Sequence, residues 1–317
     1  MVIKQEILGK NDQTHEVMVH EPKVGFKEIA LGVTEKFVAY GAGTKANILR
    51  RRSPETQVDE SGDNFLIVPE LDLYAVFDGV SQANGAEGAR IASTELKKRI
   101  EAVKTKIKPK DMSAEQARKI LLALLRSVNG MLSDMNKGKK QNEKFLTTMT
   151  LSMRVGNEMI MVNIGDSRTY YQGLGVLLEQ VTVDHDLMRH DLEERKGISP
   201  VVDEVAGVGV KNIEEIRMAQ SRRSPLLDNR VARLLGQGSR LDFAPDVYVR
   251  KVKKGERFLL CSDGITKEVT DENLADSLSS FTHKDFKASA EEIINRAIKT
   301  EQYYEHDDKV MALIEIK

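Results

Sequence analysis

An α+β fold, with antiparallel sheets covered by helices, is the class this sequence predicts, and three observations carry it. Strand-like runs arrive in groups rather than singly. The helical segments between them come in pairs, where a doubly wound sheet would place single crossovers. No stretch rich in Pro, Gly or Ser reads as an interdomain linker, so the 317 residues are taken as one domain.

The elements follow in order. Residues 1–36 are weakly patterned and read as an N-terminal extension, with room for an extra strand. Residues 41–63 are polar, carry the triplet Arg50-Arg51-Arg52, and predict a long loop. Strands are expected at 64–68 and 71–77. Ala89, Ala92, Leu96, Ile100 and Val103 recur at spacings of 3 and 4 and mark one face of a helix. Ser113 and Gln116 form a capping-box pattern at the start of a second helix. Its stripe, from Ala117 through Leu121, Leu125 and Val128 to Leu132, is wide enough to require a sheet beneath it. From Thr147 the period falls to two, with strands at 147–155, 158–164, 167–171 and 176–181 and a hairpin turn at Gly156-Asn157. The block 184–245 is irregular and charged, as a lid or recognition flap would be. Its run Glu193-Glu194-Arg195-Lys196 reads as a solvated face. Strands at 247–252 and 257–261, helices at 271–280 and 285–300, and a strand at 309–316 complete the chain.

Composition narrows the function. The formal net charge is −1, which supplies no global field for nucleic acid or a membrane surface. No run approaches the roughly 18 apolar residues of a membrane span, and the N-terminus lacks the apolar core of a signal peptide, so a cytoplasmic protein is expected. The one cysteine, Cys261, lies in an apolar run and reads as a buried structural thiol.

Chemistry concentrates at strand ends. Two apolar runs finish on Asp-Gly, Leu73 to Asp78-Gly79 and Phe258 to Asp263-Gly264, and a third, Met159 to Ile164, finishes on Gly165-Asp166-Ser167. A carboxylate there sits where a rigid scaffold meets solvent, and the glycine beside it lets other backbone approach closely. Converging carboxylates require cations, because clustered like charges do not all stay ionised unaided. Asp63, Asp78, Asp166, Asp263, Asp307 and Asp308 are the candidates. Oxygen ligands suit magnesium or manganese, whereas the chain has neither the cysteine pair nor the histidine spacing of a zinc site. A pair of such ions supports phosphoryl chemistry. The phosphate loop of nucleotide enzymes and the nucleophile elbow of hydrolases are both missing.

The contexts of these aspartates resemble the metal-dependent protein phosphatases, the type 2C serine/threonine family. The resemblance runs through Val76-Phe77-Asp78-Gly79-Val80-Ser81 and Gly85 to Ser93, then Thr147-Thr148-Met149-Thr150 and Val162 to Arg168. It continues in Val181 to His185, Leu259 to Ile265 and His306-Asp307-Asp308-Lys309-Val310, and covers about residues 60–317. It implies a four-layer α-β-β-α sandwich with a two-metal centre at one end, and a single phosphatase-like domain over 37–317 with the flap at about 184–245. It also implies that Asp78 bridges two Mg or Mn ions, that the Gly79 carbonyl binds one, and that Asp263 and Asp307 hold the other. A metal-bridging water would then attack phosphoserine or phosphothreonine in a protein substrate, and a monomer is the expected state.

The departures are specific. Counting back from Phe65, Asp63 matches the family's Asp, but Gly62 stands at its Glu and Val58 at its phosphate-gripping Arg. A local insertion would bring Glu60 to the metal and Arg50, Arg51 or Arg52 to the phosphate, so Glu60 and Asp63 compete for one role. Lys267 stands where many members carry an acid that serves a further ion together with Asp166, so two strong ions and a weak or absent third are expected, with Asp166 peripheral. His185 and His306 are the histidines near enough to be weighed as proton donors. Three readings remain open at this point: an active protein phosphatase, a non-catalytic phosphatase-fold binding protein, and a small-molecule phosphatase.

Overall fold

The computed structural model describes residues 25–31, 34–51, 61–175, 177–195, 231–238, 245–279, 286–300 and 307–317. Arg52, Glu60, His306 and most of the 184–245 block lie outside the described residues.

Among the described residues, twelve strands build two sheets. They are β1 (Gly25–Leu31), β2 (Thr34–Tyr40), β3 (Thr44–Arg51), β4 (Asp63–Val68), β5 (Leu73–Asp78), β6 (Met149–Val155), β7 (Glu158–Ile164), β8 (Arg168–Gln172), β9 (Glu179–Gln180), β10 (Asp246–Lys251), β11 (Arg257–Cys261) and β12 (Lys309–Ile316). A seven-stranded sheet has the order β1-β2-β3-β12-β11-β8-β9 and a five-stranded sheet the order β10-β7-β6-β5-β4. Every pairing between these strands is antiparallel. Helices α1 (Gly85–Val103) and α2 (Ala114–Met135) cover the five-stranded sheet, and α4 (Asp271–Leu278) and α5 (Phe286–Thr300) cover the seven-stranded one. A short α3 (Leu187–Arg195) lies within the expected flap. The layers are therefore helix, sheet, sheet, helix, as the resemblance implies.

The unbroken apolar runs have a physical cause. A strand covered on both faces has no polar side to show. In β5, Leu73, Ala75 and Phe77 pack under α1 and α2, while Tyr74 and Val76 pack between the sheets. In β11, Phe258 and Leu260 join the inter-sheet layer, while Leu259 and Cys261 face α4 and α5. Burial pushes the Cys261 thiol far above its usual range, which suits an inert core residue. The capping box at α2 is formed, with Ser113 Oγ accepting from Gln116 N and Gln116 Oε1 accepting from Ser113 N.

Hydroxyl pairs tie the sheets together. Thr150 Oγ1 on β6 meets Thr169 Oγ1 on β8 at 2.6 Å, and Thr44 Oγ1 on β3 meets the Tyr74 hydroxyl on β5 at 2.7 Å. Each pair satisfies polar atoms in a layer that would otherwise penalise them.

Three expectations need correction. The loop expected over 41–63 contains β3, which pairs β12 from Thr44↔Ile316 to Arg51↔Lys309. Its residues Ala46, Ile48 and Leu49 are buried, so the Arg triplet misled by masking a strand whose apolar half comes just before it. The boundary expected at residue 36 falls inside β2. Strand character expected at 176–181 shrinks to the two residues of β9.

Leu260 is fully buried between the sheets. Leu260→Ala is expected to lower stability by about 2–5 kcal/mol, through lost burial plus the cavity left behind. Equilibrium urea unfolding should show this as a lower midpoint with an unchanged slope.

Candidate metal centre

The register of the strands assembles the centre. Asp63 opens β4 directly opposite Asp78, which closes β5. β7 ends at Ile164, two residues before Asp166, and β11 ends at Cys261, two residues before Asp263. Asp307 lies two residues before β12 begins. The five-stranded sheet thus contributes Asp63, Asp78 and Asp166, and the seven-stranded sheet contributes Asp263 and Asp307, all at one end of the sandwich.

Asp78, Asp166 and Asp263 converge, each offering a carboxylate oxygen within 4.8 Å of the others. Asp166, expected to stand apart, is one of this closest group. Asp307 reaches the group through Lys267, whose Nζ lies 2.6 Å from Asp263 Oδ2 and 3.1 Å from Asp307 Oδ2. Sequence reasoning took Lys267 as a charge that would repel a further cation at Asp166 and missed this contact. Its signal was the four-residue spacing from Asp263, which brings acid and base together on a helical turn. Asp63 is buried, with its main-chain N–H directed to Ser61 Oγ at 3.2 Å. Asp308 accepts a hydrogen bond from the Gly62 N–H, and a Cβ added to Gly62 would lie 3.0 Å from its Oδ2. The Asp308 carboxylate therefore borders the space that a side chain at position 62 would enter.

Several lines fit a hard divalent cation. Asp63 Oδ2 and Asp166 Oδ1 are buried with no hydrogen-bond partner, a condition that native structures seldom leave uncompensated. Burial, reinforced by the neighbouring aspartates, holds the Asp78 carboxyl well above the usual carboxylate range. Burial does the same for Asp63, where the Ser262 hydrogen bond works the other way, and for Asp166, where Asp263 adds to it. Asp307 is raised by burial and by Asp263, with Lys267 opposing. The donor set is entirely carboxylate oxygen, which suits magnesium or manganese.

Close backbone packing holds these groups. The Asp78 carbonyl accepts from the Thr148 N–H and from Thr147 Oγ1, both at 2.8 Å. Thr148 Oγ1 in turn meets Ser167 Oγ at 2.7 Å, tying the Asp78 strand to the Asp166 turn. A Cβ on Gly79 would lie 2.4 Å from the Gly85 carbonyl carbon, and one on Gly264 would lie 2.1 Å from the Asp308 carbonyl oxygen. Both glycines that follow the strand-end aspartates are thus required by close approach. Gly165 has φ +105, a conformation that glycine alone adopts readily.

His185 fastens the Asp166 turn. Its Nδ1 accepts from the Gly165 N–H at 3.0 Å, its main-chain N–H donates to the Gly165 carbonyl at 2.9 Å, and its Nε2 stands 3.1 Å from Asp246 Oδ2. It is fully buried, which makes it a positioning group rather than a proton donor to a substrate. Arg189 pairs with Asp246 through two hydrogen bonds, at 2.6 and 2.9 Å, and with Glu193 at 2.8 Å. Arg233 also reaches Glu193. Glu193 is therefore buried, where the charge run suggested a solvated face. Residues 231–238 attach to the same machinery, since Leu235 exchanges main-chain hydrogen bonds with Thr147 at 2.9 and 3.3 Å.

The carboxylates floor an open cavity of about 930 Å³. Its walls include the end of α2, with Lys137 just beyond it, together with Lys144 and residues of the 231–238 segment such as Leu234 and Gln237. Gly79 lines it beside Asp78. Arg50, one of the candidate phosphate grips, is paired with Glu35 and stacks over Phe65 at 5.3 Å.

A family profile described as Protein phosphatase 2C matches residues 59–302. Serine/threonine protein phosphatase PstP of Mycobacterium tuberculosis is 28% identical over 156 residues, which is 49% of this chain and 26% of that protein. This chain thus aligns with only about a quarter of that relative's length. The crystal structure of the catalytic domain of PstP with two manganese ions superposes with a TM-score of 0.60 at 20% identity, covering 86% of this chain and 98% of that one. Serine/threonine phosphatase Stp1 of Staphylococcus aureus superposes with a TM-score of 0.63 at 19% identity, covering 88% and 97%. Among the described residues no helix is long and apolar enough to cross a membrane.

Burial pushes the His185 pKa from 6.5 down to about 4, with Asp246 opposing and Arg189 and Arg233 assisting. The unfolded chain therefore takes up a proton near pH 6.5 that the fold refuses until about pH 4. The His185 contribution to stability is expected to fall across that window by up to about 3 kcal/mol, while the raised acids contribute with the opposite sign in parent and variant alike. Urea unfolding in chelator at pH 7, 5.5 and 4.5 should show a steeper decline for the parent protein than for His185→Gln.

Proposed function

Because the chain belongs to the protein phosphatase 2C family, we propose that it hydrolyses phosphoserine and phosphothreonine in proteins, with a pair of Mg2+ or Mn2+ ions at the carboxylate centre. The observation that carries this reading is the convergence of Asp78, Asp166 and Asp263 on the floor of an open cavity. Bound there, the ions supply a water of lowered pKa and positive charge for the phosphate oxygens. The protein's own contribution is positional. Asp78 would hold both ions from the end of β5, its main chain clamped by Thr147 and Thr148. Asp63, across the β4–β5 ladder, supports it, with the Gly79 carbonyl as a further oxygen donor. Asp263 and Asp307 reach from the opposite sheet, and Asp166 faces the same space. No side-chain nucleophile is required.

The cavity suits a phosphorylated segment of a protein better than a small molecule, because it extends from the carboxylates to the end of α2 and residues 231–238. Lys137 and Lys144 on its wall add positive charge opposite an anionic substrate. A second reading, a phosphatase-fold protein that binds without turnover, is favoured by one observation: the Lys267 ammonium lies between two of the acids that should hold an ion.

One experiment separates the two. Hydrolysis of a phosphothreonine peptide should require Mn2+ or Mg2+ and stop with chelator. Asp78→Asn should lower the rate at least about a hundredfold, the upper end of what outer-shell changes alone cost at metal sites. Mn2+ uptake without turnover of any phosphopeptide would favour the binding protein, and turnover indifferent to both metal and Asp78 would defeat the proposal.

A further inference from the structure

We propose that Lys267 is a tethered cation that occupies the Asp263–Asp307 position until a divalent ion displaces it, so that metal loads in two steps of unequal affinity. The step at Asp78, Asp166 and Asp263 comes first, and the step that needs Asp307 comes second. This inference rests on the metal-centre reading above.

The geometry is definite. Asp263 begins a single helical turn, Asp263–Thr266, and Lys267 caps it, donating its main-chain N–H to the Asp263 carbonyl at 2.8 Å. That turn fixes the four-residue spacing, and the side chain folds back so that its ammonium meets both carboxylates, at 2.6 and 3.1 Å. Asp263 is shared: one carboxylate belongs both to the acidic triple and to the ammonium pair. Lys267 makes its close ion pairs with Asp263 and Asp307 and acts on Asp166 only as a nearby charge, so the triple keeps two carboxylates without direct contact with it.

The charges explain the order. With Asp308 six carboxylates gather here, against the Lys267 ammonium and the Lys309 ammonium that donates to the Asp307 carbonyl at 3.0 Å, so acids outnumber bases at this end of the sandwich. A first divalent ion meets that excess directly. A second ion that uses Asp307 must move the ammonium out of its way. The side chain has somewhere to go, because Lys267 retains 46% of its side-chain exposure and Asp307 45%. Lysine suits the role, as a compact charge on a flexible stem that releases its partners more readily than a planar, forked guanidinium would. In metal-free protein the same ammonium limits repulsion among the acids.

The test titrates the protein and its Lys267→Met and Lys267→Arg variants with Mn2+ alone, by calorimetry, and records melting temperatures in chelator. Methionine keeps the unbranched stem without the charged end, and arginine keeps the charge. Lys267→Gln serves if the methionine variant fails to fold. The parent should take up Mn2+ in two resolved steps. Lys267→Met should tighten the weaker step at least about tenfold, since two like charges no longer compete at contact distance. The same variant should melt lower in chelator and regain that loss with Mn2+, while Lys267→Arg should keep the separation of the two steps. A weaker step unchanged by Lys267→Met, or equal melting in chelator, would overturn the inference while leaving the metal centre intact. An absence of Mn2+ uptake by the parent and all variants would overturn the metal-centre reading and this inference with it.

Discussion

Mutual repulsion among acids gathered at one end of the sandwich is the constraint on which the arrangement of this protein turns. Asp63, Asp78, Asp166, Asp263 and Asp307 come from two sheets and from segments far apart in sequence. In isolation such a group would drive the sheet ends apart or take up protons. The fold resists by stiffening everything beneath it. Continuous apolar strands pack on both faces, hydroxyl pairs join the sheets, and glycines allow main chains to touch just behind the acids. The energy of that core is what makes a locally unfavourable cluster tolerable, which is how functional sites are commonly sustained.

Much of this organisation was legible in the residues. Strands covered on both faces leave a run of apolar residues with a charged stop, so β5 and β11 were plain, and the stops were the carboxylates. The capping box and wide stripe of α2 followed from local rules. What escaped notice was governed by partners elsewhere. β3 hid behind Gly, Lys and Arg because its place between β2 and β12 is decided by pairing, and the two-residue β9 is too short to leave a periodic trace. Glu193 looked solvated because nothing local announces that Arg189 and Arg233 will surround it. His185 was noticed for its chemistry, whereas its contacts make it a fastener of the Asp166 turn.

The site shows the same division. The identity of the acids could be read from strand ends, but their grouping could not, because it depends on which way Lys267 turns. An expectation of simple repulsion placed Asp166 at the margin. The ammonium instead turns to Asp263 and Asp307, and Asp166 is left beside Asp78. The Thr147-Thr148 pair entered the sequence reading only as part of a resemblance. Its physical role is to saturate the Asp78 carbonyl and to tie two of the acid-bearing strand ends to each other.

The direct opposition of Asp63 and Asp78 across β4 and β5 has a consequence for how the molecule is made. Side chains alternate faces along a strand, so a slip of one residue would set Asp63 against Phe77 and send alternate side chains to the wrong layer. A slipped hairpin would still bury many of its apolar residues, since both layers are apolar, and hydrophobicity alone discriminates weakly between the two pairings. An ion held at the proposed centre would discriminate sharply, because only the native pairing presents both carboxylates together. It would then act as a proofreader of strand register, rewarding the one alignment that the greasy interior barely prefers.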